Sequence, residues 1–82
     1  MDYPKNWEAK EGILSRVFVF RTFVQAVAIV DAIVPLAETM QHHPDIEIFS
    51  YNHVRVSLTT HDAGNSITEK DISLARQIDL LV

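Results

Sequence analysis

Cysteine is absent from the 82 residues of the chain. That absence removes disulfides, thiolate metal ligands and a thiol nucleophile together, and it fits a reducing compartment. Only two glycines and three prolines occur, and no linker, low-complexity stretch or internal repeat divides the chain, so one domain over residues 1–82 is expected. Basic residues are scarce as well. Seven Lys and Arg against eleven Asp and Glu leave a net charge of -4, the wrong sign for following a phosphate backbone, and no direct nucleic-acid partner is expected. The N-terminal Met1-Asp2-Tyr3-Pro4-Lys5-Asn6 lacks a basic segment leading into an apolar run. No uninterrupted apolar stretch approaches the roughly 18 residues of a membrane span. The expectation is a cytoplasmic protein without a membrane partner.

What is present is apolar surface and histidine. Apolar residues make up 48% of the chain, enough to drive folding. So short a chain nevertheless buries only about 60–65% of the surface exposed when unfolded. All four histidines, His42, His43, His53 and His61, fall within twenty positions. Histidine is the side chain that exchanges protons near neutral pH.

The β-branched and aromatic run Ile13 to Phe20 reads as a strand. Phe23, Val27, Val30, Val34 and Ala37 then fall at helical spacing, predicting a long helix from Thr22 or Arg21 to about Thr39. Pro35 cannot donate to the carbonyl of Asp31, so a kink or break is expected there. Ile46–Ser50 and Val54–Thr60 read as an antiparallel hairpin turning through Tyr51-Asn52-His53. Alternation along the second of these strands puts Arg55, Ser57, Thr59 and His61 on its polar face. Thr68-Glu69-Lys70-Asp71 has the pattern of a helix start, followed by Ile72, Leu74, Ala75, Ile78, Leu81 and Val82. The predicted fold is α+β, in the order strand-helix-strand-strand-helix, with an antiparallel sheet. The many apolar positions of the last helix, together with the free edge of a three-stranded sheet, suggest a homo-oligomer.

Four segments stand in order: Glu-Thr-Met-Gln-His-His-Pro-Asp from Glu38, Tyr-Asn-His-Val from Tyr51, Leu-Thr-Thr-His-Asp from Leu58, and Thr-Glu-Lys-Asp from Thr68. This ordered set resembles the signature of the pterin-4a-carbinolamine dehydratases. The resemblance extends to Leu14, Arg16, Phe18 and Phe20, to Phe23 and Ala26, and to Leu74-Ala75 and Ile78-Asp79, so it spans nearly the whole chain. It implies helices covering one face of the sheet, a pterin substrate, assembly into dimers or tetramers, and neither metal nor cofactor. It also implies that His42, His43 and His61 line the pterin pocket, with Gln41, Thr59 and Thr60 helping to bind substrate. The sequence departs from the pattern in its short segment before Trp7, in Pro35, and in a loop after His61 that is one residue longer than in many members.

Loss of water from a 4a-hydroxytetrahydropterin needs a proton delivered to the C4a hydroxyl and one removed from the neighbouring ring nitrogen. Two proton-transfer groups suffice, and imidazoles serve in either direction at neutral pH. Glu38, four residues before His42, is positioned to orient it, and Asp71 either orients a histidine or completes a helix cap. His53, placed in the hairpin turn, receives no role. Two rivals remain at this stage. One is an interaction module without catalysis, since some relatives serve as dimerisation cofactors or assembly factors. The other is a three-histidine zinc site, disfavoured because adjacent residues of an extended chain diverge.

Overall fold

The computed structural model describes residues 2–82 and shows a four-stranded antiparallel sheet in the order β1-β2-β4-β3, with two helices on one face. The strands are β1 (Glu8–Lys10), β2 (Ile13–Val19), β3 (Asp45–Phe49) and β4 (His53–Leu58), and the helices are α1 (Phe23–Met40) and α2 (Glu69–Asp79). The expected order of strand, helix, strand, strand, helix is present, with β1 added at its start. Register sets the faces: Leu14 opposes Leu58 and Phe18 opposes Val54, so these residues look toward the helices. Ile46 and Ile48 of edge strand β3 continue that face opposite Val56 and Val54. Against it pack Ala26, Ile29 and Ile33 of α1 and Ile72, Leu74, Ala75 and Ile78 of α2.

Thr22 caps α1, its hydroxyl accepting from the Gln25 N–H at 3.1 Å. The helix runs through Pro35 without a break, and Pro35 lies on its exposed side. Although α1 is long and apolar enough to cross a membrane by length and composition, four of its residues, Ala26, Ile29, Ile33 and Ala37, are buried in the core. The count of uninterrupted apolar residues missed this, since Gln25, Asp31 and Glu38 interrupt the run without spoiling its average. Much of the remaining apolar surface of α1 is exposed, with Val24 at 75% and Phe23 at 54%.

The surplus attributed to the last helix is not there. Ile72, Leu74, Ala75 and Ile78 all point into the core, and Leu81 and Val82 lie beyond the end of α2. The hairpin also differs: it turns through Ser50 and Tyr51, both at positive φ (48° and 55°), so His53 opens β4 opposite Phe49 instead of sitting in the turn. At the other hairpin, Gly12 has φ +78°, and a Cβ there would lie 2.1 Å from the Asn65 carbonyl oxygen, so only glycine fits. Finally, Asp79 accepts from the Trp7 indole N–H (2.9 Å) and from Arg16 (2.7 Å), tying the N-terminal segment and β2 to the end of α2.

Candidate active site

The histidine pair follows directly from the way α1 ends. Gln41 adopts the left-handed conformation (φ 50°, ψ 44°), and the His42 N–H returns to the Ala37 carbonyl at 3.0 Å. This reversal sends His42 inward and His43 outward. His42 is 9% exposed, and its Nε2 lies 2.5 Å from Oδ1 of Asp71. A carboxylate can only accept, so this nitrogen carries the proton.

Asp71 is fully buried. Its Oδ2 accepts from the Thr68 N–H (2.9 Å), completing the capping box of α2, and from the Thr60 hydroxyl (2.8 Å). Because the Thr60 proton goes to Asp71, the 2.7 Å contact between the Thr60 and Thr68 hydroxyls must be donated by Thr68. One carboxylate therefore joins a helix start, the end of β4 and the first imidazole. The cap and the histidine partner, expected as alternatives, are one residue doing both.

His43 is mostly exposed, with Nε2 2.6 Å from Oε2 of Glu38. Glu38 thus serves His43 and not His42. Helical spacing would bring Glu38 to the residue four places on, but the helix stops at Met40, and the turn at Gln41 carries the fifth residue over it instead.

The regular strand ends at Leu58, but its alternation continues: Thr60 is buried like Leu58 and bridges Ser66, Thr59 and His61 stay on the more open side, and His61 starts a short 3-10 turn to Ala63. His61 thus keeps the phase of the polar face while lying just beyond the strand itself. Its Nδ1 lies 2.7 Å from Oδ1 of Asn65.

These elements enclose a cavity of about 350 Å³ lined by Gln41, His42, His43, Pro44, Asp45, Thr59, Thr60, His61, Asp62 and Lys70. All six residues expected to touch substrate are among them. Among the described residues, each of the three imidazoles has one ring nitrogen bonded to a protein oxygen and the other without a partner. That arrangement can pass protons to and from a small polar molecule. A larger cavity of about 490 Å³, between α1 and the C-terminus, is lined by Phe20, Gln25, Ala28, Ile29, Ala32, Leu81 and Val82 and offers no proton-transfer group. His53 stands apart, its ring packed 5.0 Å from that of Phe49. Among the described residues, no group of three or more His, Cys, Asp or Glu side chains is arranged to hold a metal.

The family model described as pterin 4 alpha carbinolamine dehydratase matches residues 1–81. The chain belongs to this family. A Sulfurisphaera tokodaii protein named for pterin-4-alpha-carbinolamine dehydratase is 45% identical over 78 residues, covering 95% of this chain and 82% of that one. A Thermomicrobium roseum protein named likewise is 50% identical over 73 residues, covering 89% and 76%. Among solved structures, a transcriptional coactivator/pterin dehydratase from Brucella melitensis superposes with a TM-score of 0.83 at 32% identity, covering 93% of this chain and 81% of that one. A pterin dehydratase-like protein identified as a RuBisCO assembly factor in the alpha-carboxysome gives 0.72 at 26%, covering 92% and 84%.

Membership places the chain among the dehydratases, which are lyases, and pterin is the substrate class that fits the family. Four polar residues at the site were not legible in the sequence, and one of them, Asp45, lines the cavity at the start of β3. Asp62 and Lys70 line the dehydratase-family cavity as chain neighbours of His61 and Asp71, and that adjacency is their only signal in the sequence. Asn65 gave none, because its role depends on a loop that returns to Thr60.

Proposed function

We propose that this protein removes water from a 4a-hydroxytetrahydropterin to give the quinonoid dihydropterin by histidine acid-base catalysis. The observation that carries this reading is the convergence of His42, His43 and His61 on one polar cavity, each with a ring nitrogen without a partner among the described residues. His42, buried and clamped to Asp71, places the C4a hydroxyl. His43 and His61, open to solvent, carry the protons: one protonates the hydroxyl as the C4a–O bond breaks, and the other accepts the proton of the adjacent ring nitrogen as the C=N bond forms. Water and quinonoid dihydropterin leave, and the two histidines return to their starting states through exchange with solvent. Gln41, Thr59 and Thr60 supply the polar contacts that orient the pterin. General acid-base assistance of this kind contributes about 10²- to 10⁴-fold.

The step needs neither cofactor nor metal. Protein dialysed against a chelator is expected to accelerate dehydration of freshly generated 4a-hydroxytetrahydropterin well above its spontaneous rate. Loss of the acceleration on dialysis, with recovery on adding zinc, would refute the metal-free scheme; no acceleration before dialysis refutes the activity. The setting we propose is cytoplasmic recycling of tetrahydrobiopterin.

We also infer a homodimer or homotetramer built on the outer face of α1, where Phe23, Val24, Val27 and Val34 are exposed. A contiguous apolar helix face of this kind favours a partner. Sedimentation at micromolar concentration should give a multiple of the 9.3 kDa chain mass, and Val24→Glu should reduce it to the monomer. A wild-type monomer would remove the idea. The relative identified as a RuBisCO assembly factor favours a second reading in which this surface binds other proteins and catalysis is absent.

A further inference from the structure

His61 is the least supported of the three imidazoles. It is exposed, it sits in a short 3-10 turn, and among the described residues its ring makes one side-chain hydrogen bond, to the Asn65 amide oxygen. The Asn65 side chain is itself well placed to hold a ring. Its residue takes the left-handed conformation (φ 59°), which asparagine tolerates better than most residues. The Asn65 N–H donates to the Thr60 carbonyl (3.1 Å), and the Thr60 N–H donates to the Ser66 carbonyl (2.9 Å), closing the loop on the strand end. Ser66 ties the loop to itself through its hydroxyl, donated to the Ala63 carbonyl at 2.8 Å. Below, the Asn65 carbonyl rests against Gly12 so closely that no side chain fits there. Gly12 is fixed in turn, since its carbonyl accepts from the Thr59 hydroxyl at 2.7 Å.

An amide oxygen only accepts, so the contact to Nδ1 requires the proton to be on Nδ1 and leaves the lone pair on Nε2. His61 lines the 350 Å³ cavity and Asn65 does not, so Nε2 is the nitrogen available to a bound molecule. When Nε2 takes a proton, the Nδ1–H still donates to the same amide oxygen, and the ring need not turn. Asn65 therefore fits both protonation states of His61 with one geometry.

We propose that Asn65 is a positioning residue that holds His61 as the Nδ1–H tautomer and so makes its Nε2 the proton acceptor of the dehydration. The proposal rests on the acid-base reading above, but its first test does not. In ¹⁵N-labelled protein without pterin, long-range ¹H–¹⁵N correlation spectra distinguish a protonated ring nitrogen from a bare one. Near neutral pH, the neutral form of His61 should show a protonated Nδ1 and a bare Nε2. Asn65→Gly, which keeps the positive φ, should move the proton toward Nε2 and lower kcat roughly ten- to a hundredfold with little change in KM. Asn65→Asp restores an acceptor oxygen and should recover the Nδ1–H tautomer and most of the lost kcat. A wild-type His61 with its proton on Nε2, or a tautomer unchanged in Asn65→Gly, overturns the proposal. If the tautomers behave as stated while wild-type protein fails to dehydrate the carbinolamine, the positioning role is supported and the dehydratase reading is the one that falls.

Discussion

Asp71→Ala is expected to cost about 3–5 kcal/mol of stability, since each buried polar group left without its partner costs about 1–3 kcal/mol and a lost helix cap about 1. The substitution strands the Nε2–H of buried His42, removes the acceptor for Thr60 and opens the cap of α2, three losses from one fully buried carboxylate. A domain this small has only about 4–12 kcal/mol in total, so the variant should sit close to unfolding at 37 °C. Asp71→Asn separates fold from chemistry. Its amide oxygen can still accept from Thr60 or the Thr68 N–H, but placing that oxygen there turns the NH₂ toward His42 and reverses the imidazole's proton. The expected result is a folded protein, seen by thermal unfolding, whose kcat is down by about 10²-fold or more, as when a histidine is held in the wrong tautomer. Wild-type kcat in Asp71→Asn would show that His42 orientation does not matter to turnover.

His61→Ala is expected to lower kcat by roughly two to four powers of ten with a smaller change in KM, because the lost interaction belongs to the transition state. His61 is exposed and, among the described residues, its ring is hydrogen-bonded to Asn65 alone, so removing the side chain should leave the fold intact. His53→Ala is the internal control: that ring packs on Phe49 at the sheet, and its loss should leave kcat unchanged. The assay follows disappearance of freshly generated 4a-hydroxytetrahydropterin, corrected for spontaneous loss of water. Retention of kcat in His61→Ala, or its loss in His53→Ala, would mean the site is misassigned.

The parts of the fold legible in the sequence were those written in local periodicity. Apolar spacing located α1 and narrowed its start to Arg21 or Thr22, the Thr68-x-x-Asp71 pattern located the start of α2, and the β-branched runs located three strands. Strand β1 was not legible: Glu8-Ala9-Lys10 has no β-branched or aromatic residue and no buried position, and it is a strand only because the turn at Glu11-Gly12 folds it onto β2. The His53 error came from the same kind of cause. Ser50 and Tyr51 both take positive φ, a conformation neither residue type signals, so the turn covers 50–52, one residue earlier than Tyr51-Asn52-His53.

At the site, residue identities could be read and pairings could not. The contact between His42 and Asp71 spans 29 residues, and only the packed fold sets it. Glu38 was given to the wrong histidine because helical spacing was carried past the residue where the helix ends. In both cases the chemistry depended on where a regular element stops.

The bond between Trp7 and Asp79 joins residues 72 apart in a chain of 82, so making it closes nearly the whole polypeptide into a ring. Chain closure on that scale carries a larger entropic cost than any hairpin or helix here. It is favoured to form after the sheet and helices have already brought the ends together. Trp7 is also the sole tryptophan, buried edge-on against Phe18, so its fluorescence is a built-in optical reporter on the last stage of folding and the first stage of fraying.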